Sequence, residues 1–134
     1  MKCVYCGNKT RVNNSRASTN KHSVWRRRHC VDCHAIFTSR EEIDLLISVR
    51  VKTPTGALEP FLRDQLFISI HRSLLHRKTA TGDASELTDT IINLLLDQKP
   101  SVLIKTSLIK EITCQTLARF DKFAGQYYQT YTNK

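Results

Sequence analysis

Acid is almost missing from the first forty residues of this chain. Nine lysines and arginines there face a single carboxylate, Asp32. That imbalance, a net of +8, excludes a surface made for cationic ligands and points to a polyanion. Residues 41–134 carry twelve basic and eleven acidic residues, so most of the formal +9 rides on the first forty positions. Glycine and proline are scarce, at four and three residues in 134. Such scarcity excludes a low-complexity linker and describes an ordered globular chain. No apolar run approaches a membrane span, and the start has no apolar signal region. The expected setting is a reducing cytoplasm, with no membrane partner. No P-loop or nucleophile–base pair is visible, so no enzyme is expected.

Cysteine is what the acid-poor segment does contain. Cys3-Val-Tyr-Cys6 and Cys30-Val-Asp-Cys33 are two Cys-x-x-Cys pairs with 23 residues between them. Paired thiolates at this spacing read as a closed tetrahedral site for one structural zinc ion. Four sulfurs leave no open coordination position, so the metal shapes a surface and activates no water. His22, His29 and His34 lie near the cysteines, but the thiolates already complete the ligand set. Cys114, alone in a helical pattern, reads as a small buried hydrophobe.

Two domains are expected, residues 1–41 and 42–134, of α+β class together. The first reads as a rubredoxin-like zinc ribbon: a knuckle, a hairpin of Thr10–Ser18 and His22–His29 turning at Asn20, a second knuckle and a closing strand. A unit this small cannot bury a two-sided core, and the metal substitutes for one. Its basic residues include Arg11, Arg16, Lys21 and the run Arg26-Arg27-Arg28. Alternate arginines on one strand face suit phosphates, and one or two can reach guanine edges in a groove. The expected partner of Arg11, Arg16, Trp25, Arg26, Arg27 and Arg28 is a nucleic acid. Trp25 is expected to pack on the ribbon's small core, with stacking on a base or covering a sugar as the alternatives.

The second domain opens with a period-2 pattern over Ile43–Lys52, which predicts a half-buried strand. A turn at Pro54-Thr55-Gly56 leads to a short return strand over Ala57–Glu59, and Pro60 suits the first turn of a helix. Leu62, Leu66, Ile70 and Leu74 line that helix, which is expected to end near Arg77-Lys78. After a loop containing Gly82, Asp83 is expected to cap a second helix with Leu87, Ile91, Leu94 and Leu95 inward and a stop before Pro100. Thr106 or Ser107 caps a third, with Leu108, Ile109, Ile112 and Leu117 inward. The fourth carries the stripe Phe120, Phe123, Ala124, Tyr127, Tyr128 and Tyr131, read as core or subunit interface.

Taken together, these motifs resemble the bacterial ribonucleotide reductase transcriptional repressor family, NrdR, over nearly the whole chain. The family pattern runs C-x-x-C, R-V-x-D-S-R, R-R-R-R-x-C, C-x-x-C and F-T-T. Here it reads Cys3–Cys6, Arg11-Val12-Asn13-Asn14-Ser15-Arg16, Trp25-Arg26-Arg27-Arg28-His29-Cys30, Cys33 and Phe37-Thr38-Ser39. Asn14 and Trp25 stand where the family has an acid and an arginine. The resemblance implies a ribbon that binds operator DNA upstream of ribonucleotide reductase genes. It also implies an ATP-cone: a hairpin-plus-helices module that binds ATP or dATP and forms homo-oligomers. The nucleotide set it implies is Val51, Lys52, Gly56, Glu59, Thr106 and Lys110, while Thr53 and Pro54 fall where the family is basic. Either Arg50, Lys52 and Lys110 rebuild a cationic pocket, or the module serves mainly for assembly.

Overall fold

Residues 10–42 form a three-stranded antiparallel sheet in the order β1 (Thr10–Ala17), β2 (Ser23–Cys30), β3 (Ile36–Glu42). The computed structural model describes residues 1–19, 22–98 and 102–132. The expected turn residue Asn20, its neighbour Lys21 and the expected helix stop at Pro100 lie outside them. The chain divides into two compact units, Met1–Ile43 and Asp44–Lys134. In the first, the buried residues among those described are Cys3, Ser23 and Cys30. Two of these three are metal-ligand candidates, so this unit's interior is largely its ligand set.

The second unit begins differently from the strand predicted over Ile43–Lys52. Leu45–Ser48 is a short helix, α1, because the Asp44 carboxylate accepts the Ile47 N–H at 3.3 Å and caps it. Only Arg50–Lys52 remains extended, as β4. It pairs antiparallel with β5 (Leu58–Pro60) and parallel with β6 (Leu103–Lys105), a strand that the sequence reading misses. Gly56 makes the β4–β5 turn at φ +88, in the left-handed region where glycine carries no Cβ penalty. Pro60 ends β5 instead of opening a helix, since pairing continues to the Phe61 N–H, 3.3 Å from the Val49 carbonyl. An edge strand tolerates its missing donor.

Four longer helices complete the unit: α2 (Arg63–Ser73), α3 (Ala80–Asp97), α4 (Thr106–Phe120) and α5 (Lys122–Thr132). Helix α2 stops at Ser73, short of the expected Arg77-Lys78. Helix α3 starts before Asp83 and takes in Gly82. Asp83 cannot cap it, because its carboxylate accepts Arg77 Nε at 2.8 Å and Thr79 Oγ1 at 2.7 Å. Thr106 does not cap α4 either; its hydroxyl donates to the Lys52 carbonyl at 3.1 Å and ties the helix start to β4.

The expected final helix is also interrupted. Asp121 is extended, at φ −152, and its Oδ1 accepts the Ala124 N–H at 3.1 Å, so Phe120 belongs to α4. That break splits the aromatic stripe. Ala124 and Tyr128 are buried, whereas Phe120, Phe123, Tyr127 and Tyr131 are exposed. Leu94 is likewise exposed, beside buried Leu87, Ile91 and Leu95. A Cβ on Gly125 would lie 2.7 Å from Ala118 Cα, so α4 and α5 cross at a distance only glycine allows. Sixteen buried residues, among them Ile70, Leu74, Ile91, Leu95 and Leu117, form one continuous core. Each large aliphatic contributes about 1.5–3 kcal/mol. No helix among the described residues is long and apolar enough to cross a membrane.

Candidate metal centre and nucleic-acid interface

The two knuckles are built alike. In the first, the Cys3 N–H donates to the Asn8 carbonyl at 2.7 Å and the Gly7 N–H to the Cys3 carbonyl at 3.0 Å. In the second, the Cys30 N–H donates to the Ala35 carbonyl at 2.9 Å. The residue after each second cysteine, Gly7 at φ +77 and His34 at φ +57, is left-handed, which turns the chain back under its sulfurs. His34 thus serves the turn by its backbone, and its ring lies 5.7 Å from that of His29.

The sulfur atoms of Cys3, Cys6, Cys30 and Cys33 all lie within 4.8 Å of one another. Cys3 and Cys33 are 3.7 Å apart, and Cys6 and Cys30 are 3.4 Å apart. Tetrahedral thiolates about 2.3 Å from one zinc ion stand about 3.8 Å from each other, so the four fit that ion. Their acidities also call for a cation. The Cys30 thiol is lowered to about 7, first by the hydrogen bond from the Cys33 N–H. The Ala35 N–H pulls Cys33 down, yet the sulfurs of Cys6, Cys30 and Cys3, together with burial, push it up to about 12. Four thiolates this close repel one another, and a divalent ion removes that repulsion. Cys6 and Cys33 face solvent while Cys3 and Cys30 are buried.

The sheet then sorts the basic residues. Cross-strand partners share a face, and Arg16 pairs with Trp25, Asn14 with Arg27, and Arg11 with His29. A β-bulge between Val12 and Asn14 shifts the register by one residue, which brings Arg11 onto the face of Asn14 and Arg16. Asn14, Arg16, Trp25, Arg27 and Thr38 line an open cleft of about 250 Å³ on this face. Arg40 stacks over the Trp25 ring at 5.3 Å and pairs with Glu42. Trp25 is 45% exposed, so it forms a wall of this cleft and not a core.

Arg26 and Arg28 point to the other face. There Arg26 pairs with Glu41 at 2.9 Å, and Arg28 Nε donates to Ser39 Oγ at 2.9 Å. The structure therefore gathers Arg11, Arg16, Trp25 and Arg27 and separates Arg26 and Arg28 from them.

Of the expected nucleotide set, Val51, Glu59, Thr106 and Lys110 line a second cavity of about 200 Å³ with Gln65, Ser69 and Tyr128. Lys52 and Gly56 are not among its lining residues. Lys110 is the one cation in the lining among the described residues, and its Nζ donates to the Thr132 carbonyl at 2.7 Å. Tyr128 closes the floor; burial raises its phenol pKa, opposed by hydrogen bonds with Thr113 and Ser69.

Residues 1–41 match the family described as "Transcriptional repressor NrdR-like, N-terminal domain". A Transcriptional repressor NrdR of Methylacidiphilum infernorum is 33% identical over 132 residues, covering 95% of this chain and 79% of the relative. One from Halorubrum lacusprofundi is 36% identical over 127 residues, 92% of this chain and 76% of the relative. The chain belongs to the NrdR family of transcriptional repressors. These NrdR relatives span both units, so the kinship is not confined to the ribbon. They are named as repressors and not as enzymes.

Reading the NrdR motifs along the sequence does not single out Arg40, notes Thr38 only within the F-T-T match and notes Asn14 only as a replaced acid. Continuing the period-2 alternation from β2 into β3 is the signal that would find them. Tyr128 reads only as part of the aromatic stripe and Ser69 is not singled out, because hydroxyls that line a cavity from inside a helix leave no local pattern.

Proposed function

We propose that this protein is a DNA-binding repressor of ribonucleotide reductase genes, working in the cytoplasm and regulated by ATP and dATP. The reading is carried by one observation: in an NrdR-family chain, a four-cysteine centre holds a sheet whose solvent face presents Arg11, Arg16 and Arg27 beside Trp25. These cations neutralise phosphates, and zinc fixes the sheet that spaces them. Arg26 and Arg28 support the strand from behind. The second unit, expected as residues 42–134 and found as Asp44–Lys134, is an ATP-cone-like module in which Val51, Glu59, Thr106 and Lys110 line the cavity that receives the nucleotide, with Lys52 and Gly56 on the β4–β5 hairpin. A nucleotide that binds one assembly better shifts its population and with it the DNA-competent fraction. Several protomers joined through their cones add avidity on paired operator boxes.

The test is fluorescence anisotropy of the full chain on DNA from upstream of reductase genes, at fixed salt. Binding should weaken as salt rises and be lost when Arg11, Arg16 and Arg27 are all changed to alanine with zinc content unchanged. Retained binding by that variant overturns the assignment.

A second reading is favoured by Lys110, the one cation of the cavity lining among the described residues, which is held by the Thr132 carbonyl. In that reading the module is a degenerate cone used for oligomerisation, and the ribbon docks on RNA polymerase or RNA. Dialysis against ATP and dATP, followed by light scattering, separates the two. Retained nucleotide with a change of mass supports the sensor; neither supports the assembly module.

A further inference from the structure

The cleft on the exposed face of the ribbon is more specific than a cationic patch needs to be. Asn14 and Arg27 are direct cross-strand partners immediately beside the bulge, and both line it. Their neighbours at the next level of the same face are Arg16 and Trp25. Directly opposite residues stand about 5 Å apart, a span of one to two base-pair steps of about 3.4 Å each. A two-stranded ribbon also fits the major groove.

The side chains at these two levels differ in chemistry. A phosphate can use only the donor of an amide, whereas a base edge can use its donor and its acceptor together. Asn14 can accept from adenine N6 and donate to N7, while Arg27 can donate to guanine N7 and O6. Trp25, braced by Arg40 at 5.3 Å, walls one side and fixes where a base edge can sit. Arg26 and Arg28 are turned away and engaged with Glu41 and Ser39.

We propose that Asn14 and Arg27 are the base-reading pair of this ribbon, selecting an adenine and a guanine within neighbouring steps of the major groove, while Arg11 and Arg16 hold phosphates. This rests on the DNA-binding reading above. It assigns sequence choice to two residues and leaves Arg26 out of it.

The experiment is selection of bound duplexes from a random pool by the full zinc-loaded chain at fixed salt, with Asn14→Asp, Asn14→Ala, Arg27→Ala and Arg26→Ala alongside. Asn14→Asp should move one position from adenine towards cytosine, whose N4 donates to a carboxylate. Asn14→Ala should relax that position alone. Arg27→Ala should lose the guanine preference and weaken binding to the selected site by roughly ten- to a hundredfold, the worth of one bidentate contact. Arg26→Ala should keep the motif. If the unaltered chain selects a motif and Asn14→Asp selects the same one equally tightly, the pair is wrong while DNA binding stands. Binding without sequence preference also overturns it. No duplex binding at all, or binding to RNA alone, removes the DNA reading and this inference together.

Discussion

The two units are stabilised in opposite ways. The first buries Cys3, Ser23 and Cys30 among its described residues, and the second buries a continuous cluster of sixteen. One spends its sequence on surface, nine basic residues in forty, and leaves cohesion to a metal. The other spends it on Leu, Ile and Ala at helical spacing and keeps its charges nearly balanced. A cationic face destabilises itself by repulsion; a metal-held scaffold withstands this because its cohesion does not depend on the residues that carry the charge.

Zinc removal should break the comparison most sharply. The ion is worth about 10–16 kcal/mol in units of this kind, so chelation should unfold the ribbon outright. Trp25 is the only tryptophan, and its emission reports on the first unit alone, whereas the helical circular dichroism comes from the second. Chelation should shift the emission and abolish DNA binding while leaving the helical signal and its melting in place. A collapse of both signals would show that the units are not independent.

The converse is Leu117→Ala. Leu117 is fully buried, and its truncation should cost about 2–5 kcal/mol. Urea unfolding followed at the helical band should move to lower concentration, with the zinc content and the Trp25 emission unchanged.

A smaller effect distinguishes the charges that do hold the second unit. Asp121 accepts from His76 and Arg77 at 2.9 and 3.2 Å. Its carboxyl is lowered from 3.8 to about 2, first by the hydrogen bond with His76, then by that with the Ala124 N–H. A depressed folded-state pKa contributes stability above the unfolded value, and that stability is lost as pH falls through the folded one. Asp121→Asn should therefore be less stable than the parent above about pH 4. The gap between the two should close towards about pH 2, the folded-state value. A gap of constant size across that window would show that the carboxylate's charge is not what matters.

Arg26→Ala should do least. Its pair with Glu41 is half-buried on the arginine side and exposed on the glutamate side, and pairs at the surface contribute about 0–1 kcal/mol. Ribbon unfolding under graded chelation should barely move.

The same contrast explains what could be read from the sequence. The metal centre was legible because its chemistry is local: Cys3, Cys6, Cys30 and Cys33 announce themselves by type and spacing. The stripe Leu66, Ile70, Leu74 was legible for a similar reason, since periodicity survives in one dimension. What was not legible depends on contacts between distant residues. Asp44 and Asp121 end or start helices by reaching a particular N–H, and Asp83 fails to cap because Arg77 and Thr79 hold its carboxylate. Strand β6 is three residues long and exists because β4 pairs with it. In the first unit, the arginine run reads as one patch. A single bulge and the two-residue period divide it between two faces, and neither is visible before strands β1 and β2 are put in register.

The parallel pairing of β4 with β6 also bears on the order in which the molecule is made. Arg50 must meet Leu103 and Lys52 must meet Lys105, so the small sheet cannot close until two helices between them have left the ribosome. The ribbon's last ligand is Cys33, and its final strand ends at Glu42. Synthesis proceeds at about 5–20 residues per second. The metal site is therefore complete seconds before the central strand of the second unit finds its partner. Non-local pairing of this kind is intrinsically slow. During that interval the nascent chain carries a finished cationic face and an unfinished second unit. Zinc supply and helical packing thus act on separate stages of one polypeptide's synthesis.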